Sequence, residues 1–173
     1  MIEDASQQGQ CIGMALLKEG WEDQYHQTPS FHPVGCVGRI ISCHKLSDGR
    51  SNIVLQGLQR CHYEEQTVTT LYRQARVKAY SLKKPVSLNA DIRVHLEQVA
   101  QEYLTSKKAT ELCQVIASGK LSDSILVHNL SAGLDLSPVE KQFLLESDHL
   151  TQQARRLIDL IRFKTSEHRM AQG

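Results

Sequence analysis

Two Cys-His pairs, Cys43-His44 and Cys61-His62, carry the side chains best suited to chemistry, because two thiolates and two imidazoles would make a zinc ligand set. On strands the set fails. Successive strand residues point to opposite faces, so a Cys and the adjacent His reach one ion only through a bulge or turn. No Cys-x-x-Cys or His-x-x-x-His spacing supports them either. The expectation is buried thiols and surface imidazoles, with no metal and no cofactor. Ser42, Ser51 and Ser118 lie outside any Gly-x-Ser-x-Gly elbow, and the sequence contains no Gly-x-x-x-x-Gly-Lys-Ser/Thr phosphate loop. The paired carboxylates Glu22-Asp23 and Glu64-Glu65 fall in loops or at strand ends, as solvated pairs do. No catalytic residue is expected.

Binding chemistry is better represented. The stretch from Gly20 to Pro33 holds Trp21, Tyr25, His26, Phe31 and His32, and aromatic side chains in a loop can mark a contact surface or close the end of a barrel. Arg50, Arg60, Arg73, Arg76, Lys78, Lys83 and Lys84 could gather along one edge of a sheet as a nucleic-acid patch. Against this, the formal charge is only +1, and the aromatic platforms common in single-stranded RNA recognition are not interleaved with these cations.

The elements that must position these groups follow from periodicity. Cys11 to Leu17 reads as a buried strand and Gly20 to Pro33 as a loop. Gly35 to Arg60 reads as a β-hairpin, with two Ile/Val/Leu-rich runs flanking Ser47-Asp48-Gly49-Arg50. A two-residue and a three-residue turn would send opposite faces of Ile40 to His44 inward, and both readings stay open. Tyr72 to Tyr80, with Ala75, Val77 and Ala79 alternating against Gln74, Arg76 and Lys78, predicts a half-buried strand.

Ser81 to Ser87, with Pro85, reads as a boundary. Beyond it Ile92, Leu96, Val99, Ala100, Tyr103 and Leu104 follow helical spacing, with Asn89 or Asp91 as cap. Helices are predicted over 109–118, ending at Gly119, and over 122–132. Another starts at the capping box Ser137-Pro-Val-Glu140 with Phe143 and Leu144 as its apolar side. The last begins near Ser147 or Asp148, runs along Leu150, Ala154, Leu157 and Ile161, and frays after Phe163. Five scattered cysteines fit reduced, mostly buried thiols. No apolar run spans a bilayer and no signal peptide opens the chain, so a cytoplasmic protein is expected.

The hairpin also carries a resemblance. Val37-Gly-Arg-Ile-Ile41, Leu46-Ser-Asp-Gly-Arg50, Asn52-Ile-Val-Leu-Gln-Gly-Leu-Gln-Arg60 and Tyr72-Arg-Gln-Ala-Arg-Val77 resemble the N-terminal substrate-binding domain of Lon proteases. Cys11 to Glu22 is similar to that family's preceding strand and loop, and Asp135 to Glu146 with Arg155 to Ile161 to its helical part. The resemblance implies an α+β fold: a PUA-like β pseudo-barrel, 1–84, followed by a C-terminal helical bundle, 85–173. It also implies a stand-alone member of bacterial type without the family's ATPase and Ser-Lys peptidase domains, so not an enzyme. The Pro- and Leu-rich opening segment of the family has no counterpart before Ile2: either the true start lies upstream or those strands are lost, and residues 1–173 alone are expected to form a truncated barrel with an open sheet edge that favours self-association. The expected function is binding of polypeptide clients or a partner protein such as a protease or chaperone, through Trp21, Tyr25 and Phe31 with the hairpin end at Asp48 and Arg50. The alternative is a PUA-like RNA-binding protein using Arg73, Arg76 and Lys78.

Overall fold

The computed structural model describes residues 1–7, 9, 11–66, 71–80, 87–107 and 109–170, and the chain forms two compact units, Met1–Ser81 and Leu82–Gly173. Most of the predicted boundary, residues 81–86, lies outside the described residues. The first unit holds helix α1 (Ile2–Gln7) and strands β1 (Cys11–Met14), β2 (Val34–Lys45), β3 (Ser51–Gln66) and β4 (Gln74–Ala79). The strands form one antiparallel sheet in the order β1-β2-β3-β4.

The hairpin turn resolves the open register. Lys45 pairs with Ser51, the Leu46 N–H donates to the Arg50 carbonyl at 2.8 Å, and the loop is Ser47-Asp48-Gly49. Gly49 closes it at φ +86°, a left-handed conformation that suits glycine. Register does not stay constant, because bulges fall between Val37 and Gly38 and between Ile40 and Ser42. Each inserts an extra residue, Leu58 on β3 and Ile41 on β2, and both of these are exposed.

Burial in this unit is sparse. Among its described residues the buried apolar side chains are Pro29, Val34, Ile40, Cys61 and Tyr63. Of the five cysteines, all free, only Cys61 is buried; Cys36 and Cys113 are half-buried, and Cys11 and Cys43 are exposed, contrary to the sequence expectation. A short, thinly covered sheet cannot hide side chains on both faces. For the same reason β4 is not half-buried: Ala75, Val77 and Ala79 are exposed. The period-two pattern does mark their shared face, but β4 is the last strand of the sheet.

The second unit comprises α2 (Ala90–Ser106), α3 (Thr110–Ala117), α4 (Asp123–Gly133), α5 (Pro138–Leu145) and α6 (Leu150–Met170). Asn89 caps α2 by accepting from the Asp91 N–H at 3.1 Å, and Ser137 and Glu140 form the expected capping box on α5. The stripe Leu150, Ala154, Leu157 and Ile161 is fully buried with Leu96, Leu126, Leu130 and Leu144. Three expectations change. Phe143 turns outward, with the Arg156 guanidinium 4.0 Å over its ring. The first turn of α6 is capped by His149, whose Nδ1 accepts from the Gln152 N–H at 3.0 Å, while Ser147 is buried. And α6 runs on to Met170 past the end of its apolar stripe, where Lys164 pairs with Glu140 at 3.2 Å and Arg169 pairs with Glu102. Among the described residues no helix is long and apolar enough to cross a membrane.

One polar tie holds the helices in register. Asp123 accepts from the Leu88 N–H at 2.7 Å and from the Arg93 guanidinium, which also donates to the Leu121 carbonyl at 3.1 Å. Burial raises the Asp123 pKa, but the bonds from Leu88 and Arg93 outweigh it and hold the carboxyl below its ordinary value. A depressed folded pKa stabilises above the unfolded value, and that contribution is lost as pH falls through the folded one. Asp123→Asn should therefore cost about 2 kcal/mol at neutral pH, with the deficit shrinking below pH ~4. Urea melts at both pH values check this, and an unchanged deficit would exclude the carboxylate charge as its source.

Candidate functional site

The face that holds Tyr63 is built around two glycines. A methyl group on Gly35 would lie 2.3 Å from the Met14 carbonyl oxygen and 2.5 Å from Tyr63 Cε2, and one on Gly13 would lie 3.0 Å from the Tyr63 ring. Their missing side chains let the ring lie flat across β1 and β2. There its hydroxyl donates to the Cys36 carbonyl at 2.6 Å and sits 3.2 Å from that of Met14. Burial, reinforced by Cys61, pushes the phenol well above its usual range, so it stays a donor.

Beside this ring the sheet opens into a groove of about 500 Å³, with Val37, Tyr63, Ala75 and Val77 lining it together with Leu17 and Phe31. Leu17 and Phe31 pair as an isolated antiparallel bridge, which brings the loop onto the sheet, and the Phe31 and Tyr63 rings meet edge-on at 6.2 Å. Arg73 clamps this corner. Its guanidinium grips Glu65 at 2.9 Å, donates to the Pro29 carbonyl at 2.7 Å and lies 4.6 Å over the Phe31 ring. Side-chain bonding to Arg73 holds the Glu65 carboxyl below its ordinary value. The ion pair thus places no net charge in a groove whose remaining lining is mostly apolar, with Gln74 a polar exception.

The residues singled out from sequence do not form one surface. Phe31 lines the groove. Trp21 and Tyr25 pack on each other at 5.8 Å, with His26 edge-on to Tyr25, on the exposed part of the loop around the 3₁₀ turn Glu22–Gln24. Trp21 is half-buried and Tyr25 is 63% exposed. Asp48 and Arg50 pair with each other at 2.6 Å at the far end of β2, twelve residues of strand away from the loop. That is about 35 Å along the strand. Of the cations, Arg73 is committed to the clamp, Lys78 pairs with Glu64, and Arg60 lies 4.3 Å over the Tyr80 ring.

Cys43 stands opposite Ile53 and Cys61 opposite Gly35, in different halves of the hairpin. Ser42 and Lys45 carry the Ser-x-x-Lys spacing but sit on a strand, where positions three apart face opposite sides, and Lys45 pairs with Glu3 at 2.5 Å. Val37, Tyr63, Ala75 and Val77 are groove residues that sequence reasoning did not assign. Their signal was the alternation on β4 together with Gly13 and Gly35 facing a bulky Tyr.

Comparison with known proteins supplies the family. A family model described as the ATP-dependent protease La (LON) substrate-binding domain matches residues 1–162. The chain is 30% identical over 150 residues to the Lon protease of Methylocella silvestris, covering 84% of this chain and 18% of that protein. It is 28% identical over 173 residues to Lon protease 2 of Myxococcus xanthus, covering 95% of this chain and 20% of that protein. The chain thus spans about a fifth of the length of the curated relatives it matches. Among solved structures, the Lon N-terminal domain protein from Xanthomonas campestris superposes with a TM-score of 0.63 at 16% identity, over 91% of this chain and 80% of that one. The N-terminal domain of Mycobacterium avium complex Lon protease gives 0.59 at 16% identity, over 88% and 89%.

Proposed function

The chain belongs to the Lon substrate-binding domain family, and from that membership we propose that it is a non-catalytic module that holds polypeptide segments, its β unit a PUA-like pseudo-barrel and its helices a bundle. The observation that carries the reading is the groove floored by Val37, Tyr63 and Val77 and walled by Phe31 and Leu17, whose two charged lining side chains, Glu65 and Arg73, pair with each other. An open apolar groove of this size on a small sheet suits side chains of another chain. Trp21 and Tyr25 lie on the same loop as Phe31 but outside the groove lining, and they and the Asp48–Arg50 pair would be separate contacts. Polypeptide clients, or a partner protease or chaperone presenting such a segment, are the partners this chemistry fits.

An alkylated, permanently unfolded model polypeptide tests the proposal by fluorescence anisotropy. Wild-type protein should bind it, and Phe31→Ala should weaken binding about tenfold, with Trp21→Ala and Tyr25→Ala weaker in effect. If all three variants bind as wild type does while staying folded, the loop is not the site. RNA binding through Arg73, Arg76 and Lys78 would require breaking the Glu65 and Glu64 pairs. Its mark would be affinity for an RNA oligonucleotide that falls steeply with salt.

A further inference from the structure

We propose that the outer edge of β4 takes up an extended, uncharged polypeptide segment as an added strand, with that segment's alternate apolar side chains seated in the groove. The proposal rests on the polypeptide-binding reading above and names the edge, the backbone groups and the class of segment.

The hydrogen-bond phase of β4 decides which groups it offers. The Tyr80 N–H donates to the Arg60 carbonyl at 2.9 Å, while the Tyr63 N–H turns the other way, to the Pro33 carbonyl at 2.7 Å. In an antiparallel ladder hydrogen-bonded pairs alternate with non-bonded ones. Lys78 with His62 and Arg76 with Glu64 are therefore the bonded pairs, and Val77 opposite Tyr63 and Ala75 opposite Glu65 are not. The N–H and C=O groups of Ala75, Val77 and Ala79 consequently point away from β3, along the end of the sheet.

These same residues carry the apolar face. Ala75 and Val77 line the groove, and Val77 is 48% exposed. Among the described residues no backbone partner meets these outward donors and acceptors, and the same run carries an apolar floor. A strand laid there would drop a side chain into the groove every second residue, about 7 Å apart. The groove's charged side chains, Glu65 and Arg73, neutralise each other, so the matching segment is uncharged. The N-terminal segment lies close by, with Met1 lining the groove and Asp4 bonded to the Tyr72 hydroxyl at the approach to β4, and Ala75 to Ala79 remain exposed.

The test uses the full chain and a fluorescein-labelled nonapeptide with Val or Leu at alternate positions and Thr between them. Val77→Pro removes an outward N–H without touching a β3–β4 bond, and proline is tolerated on an edge strand in that orientation. It should weaken peptide binding about tenfold. On the ligand side, the peptide is N-methylated at one or the other set of alternate nitrogens: one set should cost about tenfold and the other little. The peptide series decides the question if the proline variant fails to fold. Equal binding by all peptides, or by folded Val77→Pro and wild type, would overturn strand addition while leaving groove binding standing. If wild type binds the unfolded polypeptide but not the nonapeptide, the edge proposal fails alone; if it binds neither, both readings fail. Self-association of the wild type that Val77→Pro abolishes, with no peptide bound, would assign the edge to a second copy and overturn the proposal.

Discussion

Gly35→Ala is expected to destabilise the β unit by about 3 kcal/mol, the upper end of what overpacking costs. The added methyl would stand 2.3 Å from the Met14 carbonyl oxygen, a backbone atom held by the β1–β2 pairing, and 2.5 Å from the Tyr63 ring. Neither can yield cheaply. Moving Met14 breaks a four-residue strand, and moving Tyr63 removes one of the few buried apolar side chains of the unit and its bond to Cys36. Trp21, the single tryptophan of the chain, lies in this unit and reports its unfolding by emission. A urea midpoint for Trp21 emission that matches wild type would show that the ring and the carbonyl can part without cost. Because Tyr63 floors the groove, polypeptide binding should be lost in proportion.

Leu157→Ala should cost the helical unit about 3 kcal/mol, within the range of about 2 to 5 kcal/mol for emptying a fully buried Leu site. Leu157 is wholly inaccessible in the middle of α6, on the stripe shared with Leu150, Ala154 and Ile161. Leu96 on α2 and Leu126 on α4 belong to the same core cluster, so collapse to fill the cavity would have to move more than one element. Against a typical domain stability of about 5 to 15 kcal/mol, the loss is a large fraction. Far-UV circular dichroism, dominated by these helices, measures it. A midpoint shifted by less than about 1 kcal/mol would mean that the site closes over the missing atoms.

The helical half was legible because its information is local. Ser137 and Glu140 satisfy each other's backbone three residues apart, Gly119 takes φ +64° at the end of α3, and the steps of four, three and four along α6 bury their stripe. Local periodicity also placed the hairpin, and the hairpin residues carried the family resemblance. Where α6 ends was misjudged because its last turns are held by cross-helix ion pairs, Glu140 with Lys164 and Glu102 with Arg169, whose partners lie far away in sequence.

The groove was different in kind. The alternation on β4 told which residues share a face, but not that the face stays open, since that depends on what the rest of the fold lays over it. The two bulges were invisible too, because an unpaired residue such as Ile41 or Leu58 reads as an ordinary member of its strand until its partner is known. Arg73, read as a candidate RNA contact, became the clamp on Phe31 and Pro29 only once a segment forty-odd residues earlier came to rest beside it. Sequence by itself determined most of the elements, the caps of α2 and α5, and the family. Tertiary structure decided which apolar residues remain uncovered, which charges cancel and which backbone groups face outward, because each of these is a relation between strands that no single stretch of chain contains.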